Sequence, residues 1–420
     1  MKLSVFQIEQ LCAVVYLDVL ISELGKNNLA YIMTHMLENG FAEIKELPAF
    51  MTREEWETVA RNVVNDSELG GLAVFDYVND EHTGHRAFCF LRENEGYVVF
   101  RGTSSDAEWI DNGIGMTEAE TPAQKAALDF IVRVRAIPGV SFICAAGHSK
   151  GGNKAQYCAV KGAGIVDRCV SVNGQGFSRL FFDKYSDIIE KAKFKITSVA
   201  ERRDFVNCLG FYLKEPLFYS GGRGSQSEQF PHGNPLPYFH CPDALWLRTG
   251  EQGESAPVSY ISGVINNFVA FFLTDKKYEK KREKTALGLV SLMTENGEDK
   301  ESTDAIAEAA LAFFELTAKS EDFRAKLRDL LLNEKELIAA TTLMVRQNHM
   351  NSGIIADMAM RRTAEKLLIH PVYFNYFIRS AEKFVVFTHK NREAKEHTEY
   401  VNHFLKNIFR HVERRGDYKS

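Results

Sequence analysis

Between about residues 96 and 200, short apolar runs alternate with segments of helical period. No other feature constrains the fold of this chain as tightly. GYVVFRG precedes the helical pattern AQKAALDFIVRVRA, VSFICAA precedes GNKAQYCAVKGA, and VDRCVSVNG precedes a helical stretch over 178–192, after which KFKITSVA closes the series. Pro122 suits the first turn of a helix, and Pro138-Gly139 stops it. VSFICAA (140–146) has no polar face, as expected of a strand covered on both sides. Strands separated by helices predict an α/β fold with a mostly parallel sheet flanked by helices. LAVFDYV and HRAFCFLRE, rich in β-branched and aromatic residues, add two strands at its start.

Outside this region the period changes. Residues 1–70 read as helical: FQIEQLCAVVYLDVL has helical spacing, and TREEWETVARNVV opens with Thr52 as a cap and two glutamates in its first turn. Beyond about 255 helix follows helix, among them ISGVINNFVAFFL, DAIAEAALAFFELTA and EDFRAKLRDLLL, and TENGEDKESTD (294–304) reads as a linker. The expected organisation is one domain over 1–290, whose first 70 residues are helical, and an all-helical extension over 300–420.

A net charge of -5 over 420 residues argues against a general nucleic-acid binder. The basic runs KKYEKKREK (276–284) and HVERRGDYK (411–419) are interleaved with acids and read as solvated helix faces. The apolar stretch from Ala256 to Leu273 is broken by Asn266 and Asn267, so no transmembrane segment is expected, and the N-terminus does not read as a signal peptide. Seven scattered cysteines without a CxxC pair suggest reduced, buried thiols, a cytoplasmic location and no metal site; His389, His397, His403 and His411 lack metal-site spacing too. No cofactor is expected.

The chemistry centres on Gly147-His148-Ser149-Lys150-Gly151, set between the buried strand and a helix. Gly-x-Ser-x-Gly in that context is a nucleophile elbow: Gly147 and Gly151 clear space for a sharp turn, and the following helix aims its free N–H groups at the reacting oxygen. A nucleophilic serine needs a base and an acid to orient it, in the order serine, acid, histidine. Asp204, just past the strand KFKITSVA, is the expected acid, with Asp167, Asp183 and Asp243 as rivals; His240 is the expected base, with His232 as rival. His148 reads as structural. The expected oxyanion donors are Lys150, through its backbone N–H, and Thr103, while Arg101 reads as a salt-bridge residue.

These motifs resemble the class 3, fungal-type lipases. FRGTSSDAEWID is similar to their oxyanion segment, GHSKGG to their elbow, and ERRDFVNCLG to their acid loop. An uncharacterised bacterial family of lipase-like α/β-hydrolases is closer still, sharing a helix like PAQKAALDFI, a lysine after the serine, and a stretch like Asn173-Gly174-Gln175-Gly176-Phe177; the resemblance spans roughly residues 5–290. It implies an α/β-hydrolase fold, the triad Ser149, Asp204 and His240, and the donors Thr103 and Lys150. It also implies a lid around Ser104–Glu118. Asp106, Glu108, Asp111 and Glu118 make that segment a poor match to a lipid surface, and Lys150, a leucine in the lipases, adds a charge beside the pocket mouth. The expected activity is hydrolysis of a soluble carboxylic or thio ester, or acyl transfer on the same site. A non-catalytic, hydrolase-derived scaffold is the alternative from another class. The oligomeric state is left open.

Overall fold

Capping side chains mark where the N-terminal helices begin. Ser4 with Gln7 and Thr52 with Glu55 form reciprocal capping boxes at the starts of α1 (Val5–Val14) and α5 (Arg53–Asn65). Between and after them lie α2 (Val19–Ser22), α3 (Leu29–His35), α4 (Phe41–Glu43) and α6 (Ser67–Gly70). The computed structural model describes residues 2–80, 82–222, 235–247, 249–291 and 300–334, together with Glu399. Within these the chain divides into two units: 1–223 with 237–257, and 224–236 with 258–420.

The first unit is built on an eight-stranded sheet whose spatial order equals its sequence order. The strands are β1 (Ala73–Asp80), β2 (His85–Arg92), β3 (Glu95–Phe100), β4 (Phe142–His148), β5 (Arg168–Val172), β6 (Ile196–Glu201), β7 (Leu217–Ser220) and β8 (Glu254–Ser255). Pairing is parallel from β3 to β7 and antiparallel between β1, β2 and β3 and between β7 and β8. Helices α7 (Asp106–Thr117) and α8 (Pro122–Arg135) connect β3 to β4, α9 (Lys150–Lys161) connects β4 to β5, and α10 (Arg179–Ala192) connects β5 to β6.

That order dictates the layers. Crossovers of one hand that step along a sheet in one direction place their helices on the same face. Ala87, Cys89, Val98, Ile143, Ala145 and Cys169 pack with residues of α8, α9 and α10 in one apolar cluster. Their strand neighbours Phe88, Phe90, Val99, Cys144, Ala146 and Val170 point the other way and pack with Leu11, Val14, Met33, Trp56 and Val59 of the N-terminal helices. The expected flanking helices are therefore present, with the second layer supplied by the N-terminus. Phe88 and Phe90 are wholly buried, a burial worth roughly 2–3 kcal/mol for each ring.

The second unit contains α12 (Tyr260–Thr274), α13 (Arg282–Ser291), α14 (Lys300–Lys319) and α15 (Glu321–Asn333). Its start corrects the expected boundary at 290–300: the chain passes to the helical unit after Pro257. The reason is packing. Val264 of α12 shares an apolar cluster with Leu316, Phe323 and Leu330, and Phe268 meets Phe313 edge-on at 5.7 Å. Lys300–Asp304, expected as linker, form the start of α14. In the basic run 276–284, Lys281 pairs with Glu308 at 2.9 Å and Lys277 pairs with Glu315, so α14 answers part of its charge. The run 411–419, the four C-terminal histidines and His232 lie outside the described residues. Among the described residues no helix is long and apolar enough to cross a membrane. All seven cysteines are buried, and none is in a disulfide.

Candidate active site

Ser149 is the single residue between the end of β4 and the start of α9, with φ 58° and ψ −126°. That left-handed φ costs a residue with a side chain on the order of 1 kcal/mol or more, and the surroundings hold it there. Its N–H donates to Val172 O at 2.9 Å, and its carbonyl accepts from the N–H groups of Gly152 and Asn153. The turn is tight because the two flanking glycines touch. A Cβ on Gly147 would lie 2.3 Å from the Gly151 backbone, and one on Gly151 would lie 2.0 Å from Phe100 O.

Asp204 and His240 both reach this serine. Asp204 follows β6 in a buried turn where Oδ1 accepts from Val206 N, and Oδ2 accepts from Asn207 N and Nδ2, both at 2.9 Å. His240 is the last residue of α11 (Pro235–His240). Its Nδ1 lies 2.7 Å from Asp204 Oδ1, and its Nε2 lies 2.8 Å from Ser149 Oγ. A carboxylate only accepts, so Nδ1 carries the proton, and Nε2 of the neutral ring is left to accept from the serine hydroxyl. The rival acids are engaged elsewhere: Asp167 accepts from Ile143 N, and Asp183 pairs with Arg179 on α10. Asp243 lies in the turn after His240, whose ring faces Asp204.

Thr103 sits on the loop that leaves β3. Asn112 Nδ2 donates to Thr103 Oγ1 at 2.9 Å, which leaves the threonine proton free for another acceptor. Asn112 is itself held: Gln175 Nε2 donates to its carbonyl at 3.0 Å. The Asn173-Gly174-Gln175-Gly176-Phe177 stretch thus acts as a clamp, since Asn173 Oδ1 also accepts from Glu201 N, and Asn153 Nδ2 donates to the carbonyls of Gln175 and Gly176.

One expectation drawn from the charges fails. Lys150 does not stand at a pocket mouth. Its side chain is 0% exposed and pairs with Asp111 at 2.7 Å, and its ammonium also donates to the Asp111 carbonyl. Among the acids of 104–118, Glu108 is buried as well as Asp111. Glu108 binds the buried Lys154 at 3.0 Å and Arg101 at 3.3 Å, the latter as expected for Arg101. The attraction of Lys150 holds Asp111 below the usual carboxylate range against the cost of its burial. A charged side chain buried without a partner is costly, so lysines inside α9 required acids inside α7. The outward side of α7 instead shows Ile110, 49% exposed.

His148 is buried and structural in placement, and burial drives its imidazole well below its ordinary pKa. Asn112 and Tyr16, which approaches His148, were not legible as site residues; an asparagine nine positions after Thr103 carries no signal of its own. Among the described residues no group of three or more His, Cys, Asp or Glu side chains could hold a metal ion.

A family model described as Mbeg1-like matches residues 71–200. The match takes in the elbow and Thr103 and ends before Asp204 and His240. No curated protein matches the chain.

Proposed function

We propose that this chain is a serine hydrolase of the α/β-hydrolase class that cleaves carboxylic or thio esters through an acyl-enzyme. The reading is carried by the line of hydrogen bonds Ser149 Oγ, His240 Nε2, His240 Nδ1, Asp204 Oδ1, at 2.8 and 2.7 Å. As Ser149 Oγ attacks the ester carbonyl carbon, His240 Nε2 takes its proton, and Asp204 stabilises the resulting imidazolium. The developing oxyanion sits between the Lys150 N–H, at the N-terminus of α9, and Thr103, whose hydroxyl proton Asn112 leaves free. His240 then protonates the departing alcohol or thiol. Water, deprotonated by the same nitrogen, releases the acid and restores Ser149. An alcohol or thiol admitted in place of water makes the same site an acyltransferase. Buried cysteines outside any disulfide fit a cytoplasmic location.

The test is a fluorophosphonate probe together with nitrophenyl esters of increasing chain length. Wild type is expected to label and to turn over esters, and Ser149→Ala to do neither. Turnover that survives the substitution would place the chemistry elsewhere; a folded wild type that neither labels nor turns over would leave a non-catalytic protein.

A further inference from the structure

We propose that Tyr16 and His148 are positioning residues that tie the oxyanion loop to the loop of the base through one run of hydrogen bonds; the inference rests on Ser149 being the nucleophile. The run begins at Gly102, which precedes Thr103. Gly102 N–H donates to Tyr16 Oη at 3.1 Å. Tyr16 Oη lies 2.8 Å from His148 Nδ1, and His148 Nε2 lies 2.6 Å from the carbonyl oxygen of His240.

Proton bookkeeping fixes every donor. The His240 carbonyl can only accept, so His148 carries its proton on Nε2. Nδ1 of the neutral ring must then accept, so Tyr16 donates its hydroxyl proton to it, and the phenol oxygen is left to accept from Gly102. Every donor then meets an acceptor, and reversing any link would set two donors or two acceptors against each other. Fit is equally close at Gly102, where a Cβ would lie 2.2 Å from Tyr16 Oη and 2.9 Å from Ser149 Cβ. The phenol thus sets how near the oxyanion loop comes to the nucleophile. The rings of His148 and His240 are 4.7 Å apart, so a neutral His148 spares the imidazolium that forms at His240 from a like charge. Tyr16 follows α1, on the face of the sheet covered by the N-terminal helices, which gives that segment a part in the site.

The test uses the full chain with Tyr16→Phe, which keeps the ring beside His148 and removes the oxygen. The second-order rate of fluorophosphonate inactivation and kcat are expected to fall together about tenfold or more, with KM little changed, because the loop would be misplaced for the transition state and not for ground-state binding. His148→Phe should lower both in the same way. The double variant should lose no more than the worse single one, since both substitutions break the same run. Melting curves check that Tyr16→Phe is folded. Wild type that resists the probe overturns the nucleophile, and this inference with it. Wild type that reacts while Tyr16→Phe reacts at the same rate, or losses that multiply independently in the double variant, overturn this inference alone.

Discussion

Ser149 is held in a backbone conformation that its own side chain disfavours, and His240 and Asp204 supply the hydrogen-bond partners that the proposed chemistry needs. Asp204→Asn keeps the shape but offers His240 Nδ1 an amide that can also donate, so the ring can settle with its proton on the wrong nitrogen. We expect kcat to fall by roughly 10³–10⁴-fold, measured on a nitrophenyl ester, with a lowered melting temperature because the amide nitrogen meets N–H donors that the carboxylate accepted from. Thr103→Val removes the hydroxyl proposed as an oxyanion donor, and Asn112→Ala removes the amide that donates to it. The expected losses in kcat are about 10–100-fold for each, with KM nearly unchanged. The sequence offered Ser149, Thr103 and Asp204 by motif or by their place after a strand, and His240 by its order after the acid; the structure brings Ser149, His240 and Asp204 into one line of hydrogen bonds. Asn112 and Tyr16 were not legible, because the meaning of each depends on a partner brought up by another element.

At the scale of elements, α7 and α9 are joined by ion pairs that lie wholly inside the protein. Lys150 with Asp111 and Lys154 with Glu108 cross between the two helices. Lys150→Met leaves Asp111 buried without its cation, and we expect it to lower the unfolding free energy by about 3–5 kcal/mol in urea titration. Lys150→Met/Asp111→Asn should recover part of that loss, because the stranded charge is gone. In sequence Lys150 reads as a charge beside the pocket mouth, and nothing there pairs it with Asp111 or Lys154 with Glu108. The period of a helix shows which residues share a face, and it does not show what the face meets.

For the molecule as a whole, the sequence-ordered sheet leaves one face to the N-terminal helices, and a carboxyl is buried beneath them. Glu9 accepts from Trp246 Nε1 at 2.8 Å, and burial pushes its pKa from 4.5 to about 7. Between those values the folded chain holds a proton that the unfolded chain has released, so this group costs stability as pH rises from about 4.5 to about 7, and the cost is complete above that. Glu9→Gln removes the dependence. Its melting temperature relative to wild type should therefore be higher at pH 8 than at pH 5; a constant difference would show that Glu9 does not titrate in this range. The pattern of strands and helices made the α/β architecture readable, yet the boundary with the helical unit was misplaced by about thirty residues. The strand pattern stops near residue 255, but only the packing of α12 with α14 and α15 assigns the helices before 290 to the second unit.

What the sequence determined by itself was local: the alternation of strand and helix, the caps, the tight turn that only glycines permit around Ser149, and the residue types that follow it in order. These depend on neighbours a few positions apart. Tertiary structure alone decided the encounters: His240 with Ser149 across 91 positions, Tyr16 with His148 across 132, and Lys150 with Asp111. Charge and hydrogen-bond pairing act over a few ångströms of space, and chain order does not specify which distant groups will share them.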